Sequence, residues 1–255
     1  MLNPTARNIF LVMLTMTSGC VDAISFLALG QVFTAAMTGN TVLFGLSLSH
    51  ADGLSVMRYA VALLGFMLGA AVGAAILIRR RQNSGWSGIV TATLCMELAA
   101  LVLFVVLIYI LPPSALLHLN GLLILILSFA MGVQGVAARR IGVNAVTTTV
   151  ITSTLTGLVE TLVWKAGDKT QLQNHGDEPN KRNGNTASVT SILMWISVIV
   201  FYGVGAGICG VFELHFAFEA IWLPIGLVAF VLLTDTVLRM FTLMRSSDKG
   251  TLSRQ

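Results

Sequence analysis

Residues 18–41 read Ser18-Gly19-Cys20-Val21-Asp22-Ala23-Ile24-Ser25-Phe26-Leu27-Ala28-Leu29-Gly30-Gln31-Val32-Phe33-Thr34-Ala35-Ala36-Met37-Thr38-Gly39-Asn40-Thr41. The stretch starts inside an apolar run that opens near Asn8, and that run holds one carboxylate, Asp22. A carboxylate at such a depth is costly in hydrocarbon and marks a site of function or of structural anchoring. Gly30 then permits a turn that other residues resist. Beyond it lies a second apolar run, short and rich in Thr, Gly and Asn. The stretch therefore reads as one spanning helix, a break near Gly30-Gln31, and a short helix from Val32 whose N-terminus carries partial positive charge at membrane depth.

The rest of the chain supports a bilayer setting. Of 255 residues, 56% are hydrophobic and 10% are charged, whereas soluble domains carry roughly 25% charged residues. Eight apolar segments follow one another, at 8–29, 32–49, 56–78, 87–111, 117–138, 146–164, 189–212 and 218–243. A crossing helix takes about 20 apolar residues, so these segments use most of the chain. Only 167–187 is long and polar, and it reads as a flexible loop. Residues 1–255 thus form a single integral membrane domain. The first run lacks an upstream basic cluster and a small-residue cleavage site, and reads as a span, not a cleaved signal. Cys20, Cys95 and Cys209 lie in apolar runs without disulfide or metal-ligand spacing, and read as small core residues.

Charge sets the topology. Lys and Arg cluster at Arg7, at 79–81, at 139–140, at Lys165 with the polar loop, and from Arg239 to Arg254. If all eight segments crossed, no orientation would collect these clusters on one side. If 32–49 and 146–164 enter and leave by one face, every cluster falls inside, with Asp52, Arg58, the Pro112-Pro113 turn, Glu213, His215 and Glu219 outside. The expected fold is all-α and polytopic, with six full spans plus two re-entrant or broken helices and both termini cytoplasmic. The net charge of +4 then belongs to loops and does not call for nucleic acid.

The two odd segments resemble each other. Val21-Asp22-Ala23 and Gly30 find counterparts in Val133-Gln134-Gly135 and Gly142. After a two-residue insertion, Thr34, Thr38 and Asn40 meet Thr148, Thr152 and Thr154. The Gly65-Gly69-Gly73 ladder recurs in part as Gly203 and Gly207. The halves run from about 8 to 111 and from 117 to 243. Three crossings per half turn the second upside down, an inverted repeat of the kind frequent in transporters and channels.

Two such breaks meeting near the midplane gather Asp22, Thr34, Thr38 and Asn40 with Gln134, Thr148, Thr149 and Thr152 as ligands for a small polar solute. The plainer account is that each Thr bonds backbone or a neighbouring helix, and that Asp22 caps the broken helix. Asp22 and Glu97, about ten residues into the fourth span, are the candidates for carrying a proton. Asp235 pairs with Arg239 one turn on, at an interface, and Glu160 sits near Lys165 in an interfacial role. The glycine ladders read as close-packing faces, within the chain or between copies in a homo-oligomer. Trp86, Trp164 and Trp222 lie near interfaces, as belt residues do.

At Ser18–Phe26, Val32–Thr41 and Met131-Gly132-Val133-Gln134-Gly135-Val136-Ala137-Ala138-Arg139-Arg140 the chain resembles the YoaK-type family of bacterial inner-membrane proteins. Thr152-Ser153-Thr154 departs from that family's usual Thr-Gly-Thr. The resemblance implies a six-span inner-membrane protein and supplies no substrate. The first functional expectation is a secondary transporter or channel for a small polar solute. The alternative is a non-transporting scaffold, sensor or assembly partner. No enzyme is expected: none of the four His has zinc spacing, and nucleophile-elbow, H-E-x-x-H and P-loop patterns are missing. Neither a cofactor nor a metal is implied.

Overall fold

The computed structural model describes residues 4–49, 52–79, 88–141, 156, 159 and 189–252. Among them all regular structure is helical. The helices are α1 (Pro4–Ala28), α2 (Met37–Leu48), α3 (Val56–Arg79), α4 (Gly88–Ile110), the short α5 (Pro113–His118), α6 (Asn120–Ile141), α7 (Val189–Phe216) and α8 (Trp222–Leu252). A 3₁₀ turn, Ala217–Ile221, joins the last two. Pro112 and Pro113 stop α4 and open α5, as a proline suited to the first helical turn does.

Five stretches among the described residues are long and apolar enough to cross a bilayer: Thr5–Ala28, Val56–Ile78, Val90–Ile110, Asn120–Arg140 and Leu193–Leu238. The last has 46 residues, which as one rod would measure about 69 Å, twice the hydrocarbon thickness. It is broken at the 3₁₀ turn, where Ala217 takes a positive φ of 51°. By contrast α2, with 12 residues, reaches only about 18 Å, short of the roughly 30 Å that a crossing needs.

Hydrogen bonds collect helix ends at one pole. The Leu29 carbonyl, just past α1, accepts from Asn120 Nδ2 at the start of α6 (3.2 Å). The Gly30 carbonyl accepts from Arg58 Nη1 in the first turn of α3 (2.8 Å). Tyr109 Oη, at the end of α4, donates to Glu219 of the 3₁₀ turn (2.7 Å). Since α5 links α4 directly to α6, these ends share that pole. The start of α1 and the ends of α3, α6 and α8 then lie at the other, with Arg139 and Arg140 exposed there on α6.

Small residues set the packing. The most extensive helix pairs are α3 with α6 and α1 with α7; α4 covers α6 and α8 closes against α1 and α4. A Cβ at Gly69 would overlap the Phe129 carbonyl oxygen, and one at Gly65 would lie 2.9 Å from the Leu125 oxygen. Gly73 meets the Val133 backbone at 3.5 Å. This α3 ladder packs as expected. The one on α7 makes no contact within the chain: Gly203 and Gly207 are exposed, with nothing within 4 Å, and Gly205 makes the close approach to Met16 of α1. A spacing of four marks a stripe, but which stripe turns inward depends on neighbours that the sequence does not name. Cys20 and Cys209 are buried as expected, whereas Cys95 is exposed on α4.

The second segment also differs from expectation at its start. The helix begins at Met37, not Val32, because the amides of residues 34–36 are turned onto a side chain of α1. Segment 146–164 and loop 167–187 lie outside the described residues, apart from the isolated positions 156 and 159.

Candidate functional site

The break between α1 and α2 is built residue by residue. Gly30 ends α1 with φ +92°, followed by Gln31 at +60°. The Gln31 N–H reaches back to the Phe26 carbonyl (2.9 Å), the bond across six residues that closes many helix C-termini. A Cβ at Gly30 would strike the Arg58 guanidinium, so glycine is required here for both conformation and space. The reversed chain is held against α1 by Phe33 stacked on Phe26, with centroids 5.0 Å apart.

Residues 34–36 then wrap the Asp22 carboxylate, which is 2% exposed. Its Oδ1 accepts from the Thr34 amide (2.7 Å), the Ala35 amide (2.7 Å) and the Thr34 hydroxyl (3.3 Å). Its Oδ2 accepts from the Ala36 amide (3.0 Å) and from the Tyr202 hydroxyl of α7. Successive amides in a turn form an anion cradle, and the positive end of α2 adds to it. A carboxylate offers about four lone-pair positions, and five donors occupy them. Asp22 therefore ties three elements, α1, α7 and the turn ahead of α2; the amides that it holds precede the first turn of α2, so it anchors the break and does not cap the helix.

Asn40 completes the ring. Its Oδ1 accepts from the Phe33 amide (3.0 Å) and its Nδ2 donates to the Phe33 carbonyl, so one side chain satisfies both backbone groups of a residue in the break. Thus Asp22, Thr34 and Asn40 are brought together. Thr38 is exposed on the first turn of α2. Gln134 bonds elsewhere: its Nε2 donates to the Leu14 carbonyl (2.7 Å) and its Oε1 accepts from Ser18 (3.0 Å), a buried tie between α6 and α1. Thr148, Thr149 and Thr152 lie outside the described residues.

Glu97 is fully buried on α4, and neither carboxyl oxygen has a hydrogen-bond partner. Asp235 is buried and accepts from Thr91 of α4 (2.7 Å); the side chain of Arg239, its expected partner, lies outside the described residues. Sequence reasoning missed Tyr202, Arg58 as a clasp on Gly30, and Asn120. Tyr202 carried a signal: a tyrosine mid-span needs a partner for its hydroxyl. At the opposite pole from the break, a cleft of about 490 Å³ opens between the ends of α3 and α6, lined by Ala74, Leu77, Ile78, Val136, Arg139 and Arg140. Among the described residues no group of three or more His, Cys, Asp or Glu could hold a metal.

Comparison with known proteins agrees with the membrane reading. The family model described as a protein of unknown function, DUF1275, matches residues 10–234. The UPF0700 transmembrane protein YoaK of Bacillus subtilis (strain 168) is 33% identical over 232 residues, covering 89% of this chain and 93% of that protein. No solved structure matches. A helical membrane chain with its motifs at 18–41 and 131–140 inside one continuous match belongs to the DUF1275 family, of which the YoaK type is part.

Proposed function

We propose that this chain is a secondary transporter or channel for a small polar solute in the bacterial inner membrane. In this reading it is built of six crossing helices and two re-entrant segments in inverted repeat, with both termini cytoplasmic. The observation that carries it is a reciprocity of close contacts. A Cβ at Gly19 of α1 would overlap the Tyr202 carbonyl and crowd the Ala206 amide of α7, and one at Gly132 of α6 would overlap the Phe66 carbonyl and crowd the Ala70 amide of α3. In return Gly205 approaches Met16, and Gly69 approaches Phe129. One register shift takes Met16 and Gly19 to Phe129 and Gly132. Another takes Phe66, Gly69 and Ala70 to Tyr202, Gly205 and Ala206. A pseudo-twofold relation between halves predicts this exchange, and chance packing does not.

The register is one residue from that suggested by Asp22 and Gln134. It sets Asp22 opposite Gly135 and Tyr202 opposite Phe66, so the polar pair belongs to one half alone. Helix ends support six crossings: α1 ends and α3 begins at one pole, which leaves α2 to enter and leave by the same face. Inverted repeats around discontinuous helices are a recurrent design of transporters. Asp22 serves as the anchor of the dip, and Thr38 with the second Thr cluster as solute ligands.

Counterflow in liposomes tests this. Purified protein is loaded in turn with amino acids, sugars, nucleobases and small organic acids, and radiolabelled entry is compared with protein-free vesicles. Saturable exchange of one class, with a KM raised in Thr38→Val, is expected. No exchange with any class would remove the transport reading.

A second reading, an assembly partner or scaffold, has one specific support. Gly203 and Gly207 have open space beside them, and exposed Val200, Val204 and Val211 share that outer side of α7, a surface on which a second helix can lie close. Cross-linking at Gly203→Cys between copies in native membranes would favour it.

A further inference from the structure

Glu97 is the one acid among the described residues with both carboxyl oxygens buried and unpartnered; Glu213, near the end of α7, has one such oxygen. Asp22 has five donors, and Asp235 has Thr91. Both Glu97 oxygens are buried and unpartnered. The elements packed against α4 are α6, α8, α3 and the 3₁₀ turn. Their titratable and charged groups in the described part are Arg139 and Arg140 at the exposed end of α6, Asp235 on α8, Arg58 and Tyr59 on α3, and Glu219 in the turn. Arg58 is spent on Gly30 and Glu219 on Tyr109. None bonds to Glu97, and Tyr59, though buried, has no partner either.

A buried acid without bonds adds nothing to the fold: it forfeits its hydration and receives no compensation. Such a group asks for an explanation, and inside a membrane helix the explanation is usually ion or proton passage. The neutral acid is also the form this packing accommodates, since an ionised carboxylate would have no donor and no cation beside it.

We propose that Glu97 is the proton-binding group of the transport cycle. It takes a proton from water when α4 is exposed toward one face, carries it as the neutral acid through the packed state, and gives it up when exposed toward the other. The proposal rests on the transporter reading and names its coupling ion as H⁺.

The test needs no knowledge of the solute. Dicyclohexylcarbodiimide reacts with a protonated carboxyl in an apolar, nucleophile-poor setting, and the adduct rearranges to a stable acylurea. Protein in native membranes is treated across a pH series and the α4 peptide is read by mass spectrometry, with Glu97→Gln as blank. Labelling at Glu97 is expected under acid conditions, falling about tenfold per pH unit above its titration point. The bonded Asp22 is expected to label far less. Absence of label at every pH, with label appearing once the protein is unfolded, overturns the proposal; so does labelling that ignores pH. Glu97→Asp, labelled with a similar pH profile in folded protein, keeps the answer readable if Glu97→Gln fails to fold. Counterflow separates the two claims. Labelling with pH dependence but no exchange of any solute would sink the transporter and leave a proton site; exchange that ignores pH, with no label, would leave the transporter and sink Glu97.

Discussion

At Asp22 the cost of burying charge is offset by geometry, and removal should expose that cost. Asp22→Ala leaves the buried amides of Thr34, Ala35 and Ala36 and the Tyr202 hydroxyl without an acceptor. Each orphaned buried donor costs about 1–3 kcal/mol. Relaxation and water entry recover part of that sum, so a net loss of about 3–5 kcal/mol is expected, in the range for breaking a buried charge pair. Thermal unfolding in detergent would show a clearly lowered midpoint. Tyr202→Phe removes a single donor and should cost about 1–2 kcal/mol. An Asp22→Ala protein that melts with the parent would mean that the cradle contributes nothing. The acid itself was legible, because charge is rare in apolar runs. Its partner was not, since Tyr202 stands 180 residues away and only the fold joins them. Gln134 shows the converse: a residue matched by sequence to Asp22, yet spent on tying α6 to Leu14 and Ser18.

Among the elements, the break and the glycine faces carry the specificity. Gly30→Ala places a Cβ against Arg58 at a left-handed φ, and strain of this kind costs of order 1–3 kcal/mol. Arg58→Met relieves the overlap but not the backbone, so the double variant should recover only part of the loss; full recovery would locate the whole effect in the clash. Gly19→Leu and Gly132→Leu should each part a major helix pair and depress folded yield. Gly203→Leu, facing open space, should express as the parent does. Equal yields from all three would deny that these approaches hold the bundle together. Helix positions were largely legible, since length and apolarity are local: the segments expected at 56–78 and 87–111 appear as Val56–Arg79 and Gly88–Ile110. The start of α2 was not legible, because residues 32–36 look helical by composition and are drawn out of helix by a carboxylate on another element.

For the whole molecule, the arrangement of poles makes a claim that can be checked without any solute. If α2 returns to the face it entered, α1 is the one crossing between the chain's start and Asp52, so a single cysteine at Thr5 and one at Asp52 must lie on opposite sides of the membrane. One at Ser246, in the last helix, must lie on the side of position 5. Local hydropathy cannot decide this, because segment 32–49 is apolar enough to be counted as a span. What supports the return is that Leu29 and Gly30, which end α1, are bonded to Asn120 and Arg58, which begin α6 and α3. In a background with Cys20, Cys95 and Cys209 replaced, an impermeant maleimide applied to intact cells should label position 52 and spare 5 and 246. Permeabilised cells should label all three. Were positions 5 and 52 to label alike in intact cells, α2 would be a full crossing and the two halves would no longer be inverted copies. The reciprocity of Gly19 with Gly132 would then be a coincidence of small residues, and the solute path inferred from it would have no basis.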